Sequence, residues 1–229
     1  MLKNRSLLKE LLDADNIPKE DLFQNLKELN TINTLLGGYT ITFSALKKII
    51  KPHENYTLVD IGCGGGDTLK QIYNWTKKNK RNINLFGIDI KPVCIEYAKI
   101  NSVNKNINYI CDDYRNVFNH LKQVDVIHAC LFCHHLSEAE LIELLRFSEK
   151  NKTILIINDL ERSAFAYYAI KILTKLFSKS YLVKNDAPLS VARGFTKQEW
   201  MDMLVKSDVK KYSVKNKWAF RHEVIVYGN

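Results

Sequence analysis

The sequence predicts an α/β protein built on a mostly parallel sheet with helices on both faces. Three observations predict it. Five short, nearly all-apolar runs between 57 and 160 alternate with helical patterns. Strands buried on both faces read as continuous apolar runs, and a helix between strands is the crossover that parallel pairing requires. The chain has 229 residues, 46% of them hydrophobic, which is enough for one cored domain without cross-links.

The elements follow in order. Residues 1–50 read as helices: LLKELLDA and EDLFQNLKELNTINTLL carry apolar residues at three- and four-residue spacing. Gly37-Gly38 interrupts them, and ALKKII resumes before Pro52. From 57 the pattern changes. TLVDIG is a strand and 67–79 a helix; NLFGIDI is a strand, and KPVCIEYAKINS a helix with Pro92 in its first turn. INYICDD is a strand followed by a short helix over 114–122. VDVIHACLF is a strand, SEAELIELLRFSEK a helix capped by Ser137, and KTILIINDL a strand. Residues 162–180 are helical and aromatic-rich, YLVKNDAPLSVARG reads as irregular, and FTKQEWMDMLVKS is a helix capped by Thr196. VKKYSV and KWAFRHEVIVYG form a closing hairpin around Lys215-Asn216-Lys217. This divides the chain into N-terminal helices (1–50) and a main domain (51–229) with an insertion at about 161–195.

Composition excludes several classes. No apolar run reaches the roughly 20 residues of a membrane span. The N-terminus is amphipathic and contains acids, unlike a signal or transit peptide. Five cysteines, three within strand patterns, read as reduced, buried thiols of a cytoplasmic protein. The net charge of +9 is spread over scattered lysines rather than a block, so it reads as a solvated surface rather than a nucleic-acid footprint.

The informative stretch is LVDIGCGGGDT, residues 58–68. A buried strand breaks into glycines and restarts as a helix. In a parallel sheet, ligands bind at the carboxyl ends of the strands, where glycines allow close backbone approach and the next helix offers free N–H groups. Gly62, Gly64 and Gly66 space as G-x-G-x-G, not the G-x-G-x-x-G of a dinucleotide site, and Asp60 and Asp67 flank the turn. Acids there suit a cationic ligand better than a pyrophosphate.

VDIGCGGGDT resembles the first motif of the class I S-adenosylmethionine-dependent methyltransferases. The resemblance covers about residues 55–160 and has three further stations. GIDI places Asp89, followed by Ile90, a little over twenty residues past the glycines, where the family's acid accepts both ribose hydroxyls. Cys111-Asp112-Asp113 stands where an acid receives the adenine amino group; Asp112 lies nearer the strand end, and Asp113 is also placed to cap the next helix. DVIHACLFCHHL ends the fourth strand, where the family lines the sulfonium and the substrate mouth. The resemblance implies a Rossmann-like, doubly wound, seven-stranded sheet with a reversed last strand. It implies S-adenosylmethionine as cofactor, held by Asp60, Gly62, Cys63, Gly64, Gly66, Asp89, Ile90 and Asp112 or Asp113.

The tail resembles a bacterial small-molecule subgroup related to methyltransferases of quinone and polyketide-type pathways. That implies O-methylation, or C-methylation of an activated ring, on a small, partly apolar acceptor, by SN2 alignment without a metal. His134 and His135 are the candidate bases, and Tyr39, Phe132, Arg162 and Tyr168 the candidate substrate contacts. The N-terminal helices and the insertion are natural lids. Asp186 and Arg193 read as a pair that orders the loop. Cys130-x-x-Cys133-His134-His135 has zinc-like residue types but no second ligand pair. Two rivals remain. A nucleic-acid methyltransferase would exploit the basic surface, but HACLFCHHL lacks the proline of a flipped-base motif. A non-catalytic cofactor-binding domain would keep the glycines and acids without the chemistry.

Overall fold

Seven strands form one sheet: β1 (Asn55–Ile61), β2 (Asn82–Asp89), β3 (Ile107–Cys111), β4 (Val126–Cys130), β5 (Ile154–Leu160), β6 (Tyr212–Lys217) and β7 (Arg221–Tyr227). The computed structural model describes residues 2–14, 16–102 and 106–228. The strand order is β3-β2-β1-β4-β5-β7-β6. β1 to β5 are parallel, and β7 runs antiparallel between β5 and β6. Chain order reverses direction between β1 and β4, so a crevice opens beyond their carboxyl ends.

Alternation along the strands separates two cores. Leu58, Leu85, Val126, Ile156 and Ile225 face α2 (Gly38–Ile49), α3 (Asp67–Asn79) and α4 (Pro92–Asn101). Val59, Ile127, Leu155, Ile157 and Val224 face α5 (Val117–His120), α6 (Glu138–Lys150) and α9 (Lys197–Lys206). Trp200 of α9 is fully buried there. Ser137 and Thr196 cap α6 and α9 in reciprocal boxes with Glu140 and Glu199. Three further helices, α1 (Lys19–Leu35), α7 (Ala164–Phe177) and α8 (Tyr181–Arg193), pack largely on one another.

Four expectations need correction. LLKELLDA is not a helix; only Leu11–Asp13 makes one 3-10 turn, and Leu7 and Leu8 are exposed. Short isolated helices are marginal, and here the backbone finds partners elsewhere. Ser6 N–H donates to Ala192 O, and Leu11 and Leu12 N–H donate to the Asp186 carboxylate at 2.8 and 2.9 Å. Gly37-Gly38 does not open a gap before 45: Gly37, at φ 66°, is the N-cap from which α2 starts directly. Residues 181–193 are helical despite Pro188. An interior proline costs about 3 kcal/mol, but α8 buries Leu182, Val183, Val191 and Ala192, and that packing outweighs it. The hairpin turns at Trp218-Ala219-Phe220, with Ala219 and Phe220 at positive φ, rather than at 215–217.

α2 belongs to the main core: Ala45, Leu46, Ile49 and Ile50 share a cluster with β1 and α3. Among the described residues no helix is long and apolar enough to cross a membrane.

Candidate functional site

The turn between β1 and α3 is shaped by backbone conformations closed to most side chains. Gly62, Gly64 and Gly66 have φ of 62°, 50° and 73°. Close approach reinforces the requirement at two of them. A Cβ on Gly62 would lie 2.1 Å from the Phe132 ring, and one on Gly66 2.4 Å from the Tyr109 hydroxyl. Cys63 N–H donates to Ile88 O at 3.1 Å, which locks the turn to β2.

Beyond the turn lies a cleft of about 390 Å³, within the range of small-ligand sites. Its walls include Gly62, Cys63, Gly64, Asp67, Asp89, Ile90 and Asp112. Asp89 is held by two backbone donors: Gly64 N–H to Oδ2 at 2.8 Å and Lys91 N–H to Oδ1 at 2.9 Å. Burial pushes its carboxyl up, while those two bonds pull the other way. Asp112 accepts from Asn116 at 2.9 Å and lies 2.7 Å from His120 Nε2, and these partners hold it down at about 2. Asp113 caps the following turn and pairs with Arg115. Tyr39 donates to Asn30 Oδ1 at 2.7 Å beside the same cleft, and Phe132 stacks edge-on against Tyr114.

Asp67 has no such support. Burial raises its carboxyl to about 6, opposed only by Lys70. The folded value exceeds the unfolded one, so ionised Asp67 costs stability, and the cost grows as pH rises from about 4 through 6. Asp67→Asn should therefore raise the melting temperature of the unliganded protein at pH 7 by roughly 5 °C. It should also weaken binding of a cationic ligand in this cleft by about tenfold. A lower melting temperature would show that Asp67 is structural.

A second cleft, of about 560 Å³, adjoins the first. They share Leu12, Leu29, Asn33, Leu131 and His135. One wall is apolar: Phe165, Ala166, Ala169, Ile170 and Leu173 form a single stripe of α7, facing Trp218 and Phe220 of the hairpin turn. The opposite end is polar. His134 and His135, on the turn after β4, meet Glu10 there. His134 Nδ1 lies 2.7 Å from Asp159 Oδ1, and His135 Nδ1 lies 3.2 Å from Asp13 Oδ1.

A family model described as a methyltransferase domain matches residues 52–208. The chain belongs to the methyltransferase-domain family. It is an S-adenosylmethionine-dependent methyltransferase. Its fold is shared with the plantazolicin methyltransferase BpumL in complex with SAH: TM-score 0.63, 19% identity, covering 92% of this chain and 95% of that one. Human N-acetylserotonin methyltransferase in complex with SAM gives TM-score 0.65 at 15% identity, over 93% of this chain and 57% of that one. The CMeT domain of citrinin polyketide synthase gives 0.56 at 11%, over 82% and 50%. Among curated proteins none matches by sequence. The first cleft is bordered by the glycine turn, where Gly62 has no room for a Cβ, and by two half-buried acids, Asp67 and Asp89, whose carboxyls burial pushes up.

The methyltransferase places the sequence-derived candidates unequally. Gly62, Cys63, Gly64, Asp89, Ile90, Asp112, Asp113, Tyr39 and Phe132 all border the first cleft, so Phe132 and Tyr39 line it rather than the second cleft. His134 borders the second cleft and His135 both. Four candidates border neither. Asp60 faces His128 across the β1–β4 pairing and binds its Nδ1 at 2.6 Å, so it is a paired core acid. Gly66 backs onto Tyr109. Arg162 turns away to a two-armed pair with Glu199, at 2.9 and 2.7 Å. Tyr168 lies off the α7 stripe and sets its ring edge-on to Tyr167. Asp186 and Arg193 do not pair; Asp186 caps the N-terminal turn, and Arg193 binds Asp13 and three carbonyls.

Sequence reasoning missed Glu10, Asp13 and Asp159. Asp159 sits at the end of an apolar strand, where a buried acid signals a partner. Glu10 and Asp13 carried no signal, because they lie in a segment that reads as an ordinary amphipathic helix.

Proposed function

We propose that this methyltransferase transfers a methyl group to a hydroxyl oxygen of a small, largely apolar acceptor, with cofactor in the first cleft and acceptor in the second. The shared boundary carries this reading: His135, Leu131 and Asn33 belong to both clefts, so ligands in the two would meet there.

S-adenosylmethionine supplies a methyl on a sulfonium, which needs alignment more than activation. Asp89 would accept the ribose hydroxyls, Gly62 to Gly64 would let the backbone approach, and Ile90 and Asp112 would border the adenine. The α7 stripe, Trp218 and Phe220 would enclose the acceptor's apolar body and exclude water. The His134–His135–Glu10 end would receive the hydroxyl and its proton. An oxygen acceptor is proposed over ring carbon because two imidazoles and a carboxylate cluster at that end, beyond the apolar stripe. Residues 2–14 and 16–36 with α7 and α8 would form the cover. The apolar lining speaks against a nucleic-acid substrate. A cytoplasmic location remains part of the reading, resting on cysteine usage.

The test is methyl transfer from labelled cofactor to a panel of phenols, quinols and hydroxylated polyketides, with oligonucleotides as the contrasting set. Lipophilic hydroxyl compounds should be methylated. Ala169→Trp, which fills the second cleft, should reduce transfer by about a hundredfold or more while leaving S-adenosylhomocysteine affinity within threefold. Transfer to oligonucleotides, or transfer indifferent to Ala169→Trp, would sink the reading.

A further inference from the structure

The polar end of the second cleft brings two imidazoles and one carboxylate together. Asp159 is fully buried and lies 2.7 Å from His134 Nδ1, and Asp13 lies 3.2 Å from His135 Nδ1. Each histidine thus has its Nδ1 edge taken by a carboxylate, and both Nε2 atoms face Glu10.

The distances are informative. His134 Nε2 is 3.6 Å from Glu10 Oε1, and His135 Nε2 is 3.8 Å from Glu10 Oε2. These gaps are too long for hydrogen bonds. Two ligands each about 2.1 Å from one cation at a tetrahedral angle stand about 3.4 Å apart. All three donor groups lie within 4.8 Å of one another. Glu10 is 4% exposed, and its near donor is the Ser190 hydroxyl at 2.8 Å. The nearest guanidinium, Arg193, is 4.0 Å away and engaged with the carbonyls of Leu8, His134 and His135. Around the cluster four carboxylates (Glu10, Asp13, Asp159, Asp186) face two guanidinium groups (Arg5, Arg193).

We infer that Glu10, His134 and His135 bind a divalent transition-metal cation at the polar end of the second cleft. Two imidazoles and one carboxylate suit zinc, iron(II), cobalt or manganese rather than an all-oxygen ion such as calcium. Asp159 and Asp13 stand behind the imidazoles as the carboxylates that orient metal-binding histidines. Three protein ligands leave a coordination position open, and all three residues border the second cleft. An oxygen donor on the acceptor fits that position, and with metal bound its proton would pass to water rather than to the three ligands; this last step rests on the acceptor reading above, while the metal site does not. The Cys130-x-x-Cys133 pair takes no part: Cys133 is buried in the β4–α6 core.

The experiment uses the full chain stripped with chelator and titrated with cobalt(II), then zinc(II). The expected result is one equivalent of cobalt with visible ligand-field bands, displaced by zinc, and a higher melting temperature with metal bound. Glu10→Gln and His134→Gln, at residues that border only the second cleft, should each weaken cobalt binding by about a hundredfold. S-adenosylhomocysteine affinity should stay within threefold, which shows that the variants fold, and the exposed-site control His53→Gln should bind as the parent does. No stoichiometric binding of either metal, or binding unchanged in both variants, overturns the site. Failure of the hydroxyl panel with metal bound would count against the acceptor reading alone.

Discussion

Replacing Asp89 with alanine is expected to weaken S-adenosylhomocysteine binding by roughly two to three powers of ten. A hydrogen bond to a charged group contributes about 1.5–3 kcal/mol when its loss leaves a partner unmet. The carboxylate would lose two such bonds to ribose. It is also aimed in advance: Gly64 N–H and Lys91 N–H each hold one oxygen, at 2.8 and 2.9 Å. Alanine frees Gly64 N–H and loosens the turn that must approach the ligand. Asp89→Asn should fall between, because its amide nitrogen must face one of those two N–H donors. Titration calorimetry reads the effect, and a loss under about fivefold for alanine would show that another residue anchors the ribose.

Arg193→Ala should produce the largest loss of stability, about 3–5 kcal/mol, as expected when one partner of a buried charge network is removed. Arg193 is 7% exposed at the end of α8. Its guanidinium donates to Leu8 O at 2.9 Å, Asp13 at 3.2 Å, His134 O at 3.1 Å and His135 O at 3.0 Å. Arg5 reinforces the same knot, binding Arg193 O and His134 O at 2.6 Å. One side chain thus joins the N-terminal segment, α8 and the histidine turn. The melting temperature should drop by roughly 10 °C for a chain of this size. Residues 1–18 should become open to proteolysis, and acceptor KM should rise with cofactor affinity nearly unchanged. Arg193→Lys should recover little, since an ammonium cannot reach four acceptors in a fork. A melting temperature within 2 °C of the parent would mean that the segment is held by other contacts.

The parallel core was legible because each of its signals is local. Leu58 and Val59 point to opposite cores by the period of a strand, and Ser137 and Thr196 announce helices through groups three residues away. Gly62 and Asp89 were legible as neighbours at the strand ends because a glycine turn and a strand-end acid keep a set spacing in a parallel sheet, and both border the first cleft. Tyr168 failed for a local reason too: the aromatic content of α7 was visible, but the face that its neighbours left to the cleft was not. Asp60 failed because its partner, His128, sits 68 residues away across the β1–β4 pairing. An acid that looked unpaired along the chain is paired across it.

The N-terminal segment shows the limit most clearly. Its leucine spacing is that of a helix, yet Asp186, 175 residues away, takes the Leu11 backbone donor and leaves only one short turn. The amino-acid order by itself determined the sheet, its helical layers, the glycine turn and the strand-end acid Asp89, because periodicity and turn chemistry act over a few residues. The histidine–carboxylate cluster, the second cleft and the Arg193 knot were settled only by folding. They join residues from separate elements, such as His135 with Asp13, 122 positions apart, and the interactions that choose such partners, burial and charge pairing, leave no spacing to read along the chain.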